Sequence, residues 1–433
     1  MVKNLTIAVL ALLVLVLSTA LFQSRRSTPV LQAVSPSTTA PAPTANATPS
    51  PERPIVPTVA PAATPRVPAG GFFESFDGKP TAPQPWQPAN WDVTIHSRDK
   101  ANRETLDTMD AMHGHDCAGP PATHQLTRYE QAVFLCNDHV MTALNADGYG
   151  MIYLTPNQMV DFSAGQAVIS FDLSTERTSL RDWVDIWITP YEDNVQLVLE
   201  DRLPDGNGEP RNAIHIRMDQ FNGKTVFRGS VVRDFVAERL EQAAESRPYD
   251  DVLEISAKRR DRFELHLSRT HVKFGMPDYD LWWIDTPIES LNWQSGVVQF
   301  GHHSYNPTKS CADCTPNTWH WDSIAINPAR PFTIQSLGPL LLSAEQGTRI
   351  KLPSPAPQAA HLRFTAIGET IELSFDGGTT WQAAQSQQIE QRADERFTSY
   401  WHPIPAGTRE VLVRGEPFWG GDWYARNVSV WAK

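Results

Sequence analysis

The sequence predicts an all-β protein made of two β-sandwiches in tandem, carried behind an apolar N-terminal segment and a proline-rich linker. Two observations lead there. From residue 70 onward, short runs of alternating apolar and polar residues are separated by Gly, Pro, Asn and Asp, the pattern of half-buried strands joined by turns. The 433 residues also include 35 Pro and 24 Gly, a composition that works against long helices, while 14 Trp and 41% hydrophobic residues are ample for packed cores. Lys plus Arg is 37 and Asp plus Glu is 49, a net charge of −12 that argues against a nucleic-acid binder or a polybasic membrane-surface protein.

Taken in chain order, residues 1–26 come first. Residues 5–22 (LTIAVLALLVLVLSTALF) follow Lys3 and are almost wholly apolar. The run exceeds the ~7–15 apolar residues of a cleaved signal peptide and approaches the ~17–25 that span a bilayer. Two readings stay open: cleavage after Ala20, with Ser18 at the preceding small position, or an uncleaved membrane-anchoring helix. No Cys stands near it for lipid attachment. Residues 27–69 are rich in Pro, Thr, Ala and Ser and hold too few large apolar side chains to offset the entropy of ordering, so a disordered, extended linker is expected. Together these features predict a secreted or cell-surface location, with membrane contact confined to the N-terminal segment.

Residues 70–331 form the first predicted β domain. Its candidate strands are FFESF at 72, WDVTIHS at 91, GMIYLT at 150, AVISFDLS at 167, WVDIWIT at 183, VQLVLED at 195, AIHIRM at 213, FELHLSR at 263, VKFG at 272, GVVQFGH at 296 and HWDSIAI at 320. One helical interruption is expected over residues 234–247 (DFVAERLEQAAESR), with Asp234 as N-cap. Residues 332–433 supply a second, smaller sandwich from TIQSLG, LRFTAIG, TIELSFDGG, REVLVRG and ARNVSVWAK.

Several of these segments carry a family likeness. FFESFDG at 72, WVDIWIT at 183, KFGMPDYDLWW at 273, GVVQFGHHSYNP at 296 and TWHWDSIAINP at 318 resemble secreted bacterial domains of the concanavalin A-like lectin/glucanase superfamily. The resemblance covers about residues 72–328 and implies a two-sheet jelly-roll sandwich that binds or cuts polysaccharide on a concave sheet. It does not by itself fix a function.

In the strand at 183, alternation places Val184, Ile186 and Ile188 on one face and Trp183, Asp185, Trp187 and Thr189 on the other. Indole rings beside a carboxylate make a reasonable sugar platform, with apolar ring faces for the pyranose and oxygens for its hydroxyls; a second buried face is the alternative. Glucanases of the resembled family place a Glu-x-Asp-x-Glu triplet on such a strand. Here positions 183 and 187 are Trp, which puts hydrolysis by that mechanism in doubt. The candidate catalytic residues are therefore Asp185, His302, His303 and Asp322, including an Asp185–Asp322 pair assembled from distant strands. The candidate ligand-binding residues are Trp183, Asp185, Trp187, Tyr305, Trp319, His320 and Trp321, the last four drawn from the aromatic- and imidazole-rich segments GHHSYN and WHWD.

Behind an export signal the four cysteines point to disulfides, and the local pairing is Cys117 with Cys136 and Cys311 with Cys314. No cofactor is required by this reading. Zinc would find acceptable ligand types in His302, His303, Cys311, Cys314 and His320, or in His113, His115, Cys117, Cys136 and His139, although neither spacing is a recognised finger. Calcium would find oxygen ligands in Asp77, Asp322 or Asn327.

In the second domain, Ser374, Asp376, Gly378, Thr380 and Trp381 match an Asp-box hairpin, in which Asp376 bonds turn amides and Trp381 packs beneath. The first expectation for function is an extracellular polysaccharide-binding protein. The alternatives are a divergent glycoside hydrolase or polysaccharide lyase and a structural or adhesion protein of the cell envelope.

Overall fold

Among the described residues, antiparallel strand pairing organises the fold. The computed structural model describes residues 70–78, 86, 88–97, 131–136, 138–144, 150–177, 182–193, 210–221, 224–240, 260–304, 317–337, 340–342, 347–352, 354–367, 370–392, 395–415 and 423–433. The N-terminal apolar segment, the 27–69 linker, the strand expected at 195–201 and the residues Tyr305, Cys117, Cys311 and Cys314 lie outside them. Among the described residues no helix is long and apolar enough to cross a membrane.

β1 (Phe72–Glu74) and β2 (Trp91–Ser97) precede a hairpin of β3 (Gln131–Cys136) and β4 (His139–Leu144). β5 (Gly150–Pro156), β6 (Gln158–Asp161) and β7 (Ala167–Arg177) follow. Next come β8 (Asp182–Thr189), β9 (Asn212–Phe221), β10 (Lys224–Arg233) and β11 (Val236–Arg239). β12 (Asp261–Leu267), β13 (His271–Met276), β14 (Leu281–Pro287), β15 (Ser295–Ser304), β16 (Asn317–Asn327) and β17 (Ala329–Pro331) complete the larger body. Sheet I has the order β14-β13-β12-β7-β16-β4-β3, with β1 on the end of β16. Sheet II has the order β11-β10-β9-β8-β15-β5-β2, with β6 joining β15 to β17.

The two sheets close on one core. Ile169, Phe171, Leu173, Phe263, Leu265, Trp319 and Trp321 of sheet I meet Ile152, Leu154, Val184, Ile186, Ile214, Val298 and Phe300 of sheet II. Phe300 crosses the gap to Phe171 and Trp321 with edge-on ring contacts at 5.8 Å. Each such side chain fully removed from water contributes roughly 1.5–3 kcal/mol.

The helix expected over 234–247 is not formed. Asp234 (φ 46°) and Phe235 (φ 69°) make a two-residue turn, and β11 pairs back on β10 from Arg233↔Val236 to Ser230↔Arg239. Two successive residues at positive φ are what a tight hairpin matching the strand twist needs. The turn is held by Phe235 N–H donating to Arg211 O and by an Arg211–Asp234 ion pair. Phe235 and Val236, which the expected helix would set on opposite sides, are 47% and 63% exposed, and Leu240 is buried. Residues 241–247 lie outside the described set.

The C-terminal strands are β18 (Thr333–Ser336), β19 (Leu340–Leu342), β20 (Thr348–Lys351), β21 (Ala360–Ile367) and β22 (Ile371–Ser374). β23 (Gln382–Ala383), β24 (Ser386–Arg392), β25 (Glu395–Ile404), β26 (Glu410–Gly415) and β27 (Trp423–Ala432) follow. Sheet III (β18-β27-β21-β25-β24, with β19 on β27) packs Leu362, Phe364, Tyr400 and Val428 against Ile350, Leu373, Val411 and Val413 of sheet IV (β20-β26-β22-β23). In the β22–β23 hairpin, Asp376 accepts from the Thr380 amide (2.9 Å) and the Ser374 and Thr380 hydroxyls, and Gly377 and Gly378 sit at φ 73° and 93°. Trp381 donates to Gly378 O beneath the turn, under the Arg414 guanidinium at 4.0 Å.

The smaller sandwich is docked on the outer face of sheet II. Met159, Tyr191 and Val297 share a buried cluster with Phe332, Ile334, Trp401 and Trp431. Beside it, Arg363 Nη1 donates to Asp92 Oδ2 at 2.8 Å and to Thr94 Oγ1 at 3.2 Å, both on β2. Arg363 and Asp92 are each 2% exposed. Burial pushes the Asp92 carboxyl up, and Arg363 pulls it back. Removing one partner of a buried pair strands the other charge, at a cost of about 3–5 kcal/mol. Arg363→Met should therefore lower stability by about that amount in urea denaturation, and adding Asp92→Leu should recover much of the loss. Equal, additive losses for the two changes would contradict a coupled pair.

Candidate functional site

Register fixes which side chains share the outer face of sheet II. On β8, Val184, Ile186 and Ile188 enter the core, so Trp183, Asp185 and Trp187 point away from it. Asp185 stands opposite Gly301 on β15 and Arg217 on β9; Trp183 stands opposite His303, and Trp187 opposite His215 and Gln299. Tyr153 on β5 stands opposite Gly301 from the other side. Glycine at 301 is a steric requirement, because a Cβ there would lie 2.0 Å from Asp185 Oδ1 and 2.6 Å from Tyr153 Cε1.

Donors converge on Asp185. Its Oδ2 accepts from Trp187 Nε1 (3.0 Å) and from His215 Nε2 (3.2 Å), and lies 2.9 Å from His303 Nε2 and 3.5 Å from the Tyr153 hydroxyl. The same His303 nitrogen is 3.0 Å from that hydroxyl. A carboxylate at 2.9 Å assigns the proton to His303 Nε2, since a bare lone pair there would face a negative oxygen. Burial alone would raise the Asp185 pKa, but the His303 and His215 contacts outweigh it and hold the carboxyl well below its ordinary range. Asp185 Oδ1 has no hydrogen-bond partner and rests over Gly301.

The indole faces are occupied by the protein's own groups. Trp183 stacks on His303 at 4.9 Å and 10° on its β15 side, and the Arg217 guanidinium lies 4.2 Å over the ring on its β9 side. Trp187 stacks on His215 at 3.7 Å and 9°. The expected open platform of indoles is thus a row of alternating aromatic and cationic or imidazole groups. Asp185, Trp187 and His303 are buried, and Trp183, His215 and Arg217 are half-buried at its surface. Cation–π contacts of this kind contribute about 0.5–2 kcal/mol and fix the orientation of the guanidinium.

The remaining sequence candidates separate. His302, one residue from His303, points the opposite way into the core, where its Nδ1 lies 3.0 Å from Thr142 Oγ1. Trp319 and Trp321 are also enclosed there, with Trp321 Nε1 donating to the same hydroxyl. All three are core residues because strand alternation admits only one face of β15 and β16 to the gap between the sheets. His320 and Asp322 lie on the outer face of sheet I, so the Asp185–Asp322 carboxylate pair is not formed: the core separates them. The zinc set containing both His302 and His320 is split in the same way. Among the described residues no three His, Cys, Asp or Glu side chains are placed to hold a metal ion. Cys136 is buried on β3 and is not a free thiol.

On sheet I a hydrogen-bonded chain runs from Arg260 to Asp138 (2.6 Å), to His139 Nδ1 (2.7 Å), and from His139 Nε2 to His320 Nδ1 (2.9 Å). His139 donates to the carboxylate, so its other nitrogen accepts from His320, and His320 Nε2 is left buried without a partner. Burial, with His139 and Arg260 nearby, pulls His320 down to about 3. Asp322 is pushed up to about 6 by burial, with Arg260 acting against it.

Sequence reasoning missed Tyr153, Gly301, His215 and Arg217. The alternation of AIHIRM, if followed, sets His215 and Arg217 on one polar face of β9. No signal in the sequence announced that β9 pairs with β8.

No protein-family model matches the sequence, and no curated protein matches it. Solved structures do match. The β-glucanase of Bacillus licheniformis is 9% identical, with a TM-score of 0.34 over 59% of this chain and 97% of that one. A protein of unknown function with a galectin-like fold from Bacillus subtilis is 11% identical, with a TM-score of 0.31 over 46% and 87%. The carbohydrate recognition domain of Emp46p, in a potassium-bound form, is 10% identical, with a TM-score of 0.32 over 46% and 86%. The two-sheet assignment rests on the strand pairing above.

Gly301→Ala should destabilise the protein by about 1–3 kcal/mol, because both flanking side chains must give way; a melting temperature equal to that of the parent would contradict the close approach. The His320 pKa is lower in the folded chain than the ordinary 6.5, so the unfolded chain binds this proton first. Its contribution is complete above about pH 6.5 and is lost as pH falls towards about 3. His320→Gln should therefore show a shallower fall in melting temperature over that window; an unchanged slope would contradict a buried neutral imidazole.

Proposed function

We propose that this chain binds extracellular polysaccharide at the outer face of sheet II, around Asp185. The observation that carries the reading is the convergence of Trp187 Nε1, His215 Nε2 and His303 Nε2 on one buried carboxylate, beneath a half-buried surface of Trp183, His215 and Arg217. Such an array is pre-organised: the polar groups that would meet sugar hydroxyls are held by stacking and by hydrogen bonds, so little side-chain entropy is lost on binding.

Binding is favoured over chemistry by the state of Asp185. An ionised carboxylate whose Oδ2 already receives several donors can serve neither as a general acid nor readily as a base. An enzyme reading draws on the Tyr153 hydroxyl, which lies 3.0 Å from the protonated His303 Nε2 and 3.5 Å from Asp185 Oδ2. Tyr153 and His303 are 0–1% exposed, which favours a supporting role beneath the surface groups over contact with a polymer. Export and surface tethering by residues 1–69 are part of the proposal and rest on the apolar run and the proline-rich linker.

Migration in native gels containing dissolved polysaccharide should be retarded for the parent chain and restored towards control mobility by Trp183→Ala and by His215→Ala, with folding checked by thermal melts. Retardation unchanged in both variants would contradict this site. Release of sugar fragments from a bound polysaccharide, lost in Tyr153→Phe, would replace the binding reading with the enzymatic one.

A further inference from the structure

The described outer-face side chains of β9–β11 do not share the negative charge of the chain as a whole. Across β9, β10 and β11 the register places Arg217 opposite Arg228, Lys224 opposite Phe221, and Arg239 opposite Ser230, whose other neighbour is His215. Directly opposed residues of an antiparallel pair project from the same face. Phe227, Gly229 and Val231 enter the core or meet core side chains, so Arg228, Ser230 and Val232 face outward, and Val232 packs in the cluster of Trp187. The described outer-face side chains of these three strands thus include Arg217, Arg228 and Arg239, and the register sets Asp219 opposite Trp183 and Val226 beside them. Arg228 and Arg239 are exposed. Asp185, the acid of the neighbouring strand, is buried among its donors. In a chain of net charge −12 this is a local concentration of arginine, and cationic side chains next to a binding site attract ligands of the opposite sign.

We propose that the ligand is an anionic glycan, a polysaccharide bearing carboxylate or sulfate groups, which lies across β9–β11 with the Asp185 site at its flank. The inference rests on the polysaccharide reading above and adds the charge class of the ligand. Arg217 joins the two regions: its guanidinium lies on the Trp183 ring at 4.2 Å, and its position faces Arg228 on the next strand. A planar guanidinium suits carboxylate and sulfate oxygens alike, so the cationic face does not by itself distinguish the two groups.

The test is affinity electrophoresis of the full chain against alginate for carboxylate, dextran sulfate for sulfate, laminarin and dextran as neutral glucans, and a single-stranded oligonucleotide as a non-glycan polyanion. Alginate or dextran sulfate should retard the protein, and which of the two does so assigns the anionic group. Retardation should weaken with added salt. Arg228→Gln and Arg239→Gln should each weaken binding by about threefold, and by about tenfold together, whereas Lys351→Gln on the smaller sandwich should change nothing. Retardation by laminarin or dextran equal to that by the acidic polymers would overturn the anionic class and leave the polysaccharide reading standing. Equal retardation by the oligonucleotide would overturn glycan recognition in favour of a general polyanion surface. Retardation by none of the polymers would overturn both proposals.

Discussion

A carboxylate buried on the side of a sheet that faces away from its core is the constraint around which the candidate site is built. Asp185 has lost its water, and an ion in that position costs several kcal/mol unless donors replace the solvent. Trp187, His215 and His303 supply them, each from a register position that the pairing of β8 with β9 and β15 makes adjacent. The donors are in turn oriented by stacking, His215 on Trp187 and His303 on Trp183. Gly301 is the backbone side of the same constraint, because only a residue without Cβ leaves room for Asp185 Oδ1 and the Tyr153 ring together. The half-buried surface of the site thus inherits the rigidity of the sheet beneath it.

The second sandwich decides how much of that face remains. It docks at the Thr189–Val297 end of the β8–β15 pair, and Asp185 lies four residues further along, about 13 Å at the usual strand rise. The buried Arg363–Asp92 pair and the shared cluster of Tyr191, Phe332, Trp401 and Trp431 make this contact part of the folded body. One end of the outer face is therefore covered by protein, and the other carries the Asp185 array and the cationic strands β9–β11.

Local pattern made the strands legible, and long-range pairing limited the reading of the site. The alternation in WVDIWIT assigned Val184, Ile186 and Ile188 to the core and Asp185 to the other face, as found. The same rule separates His302 from His303 and puts both indoles of WHW on the side opposite His320. Reading those segments by their content of aromatics and imidazoles, rather than by alternation, grouped residues that point to opposite sides of a sheet. Tyr153 and His215 became partners of Asp185, and Arg217 of Trp183, only through contacts between strands distant in sequence, which no local pattern encodes. The 234–247 segment failed differently: an apolar stripe compatible with a helix competed with a hairpin whose turn, Asp234-Phe235, lacks the glycine that usually announces it.

The central claim is that ligand is met at the Asp185 face of sheet II, and side-chain NMR tests it most directly. Indole Nε1–H and imidazole resonances, assigned by single substitutions, would be followed while an acidic oligosaccharide is titrated into the full chain. The account predicts that Trp183 and His215 shift progressively with ligand while Trp381, beneath the hairpin of the smaller sandwich, stays in place. Shifts confined to Trp381 or Trp401, with Trp183 and His215 unmoved, would contradict it and move recognition to the C-terminal sandwich.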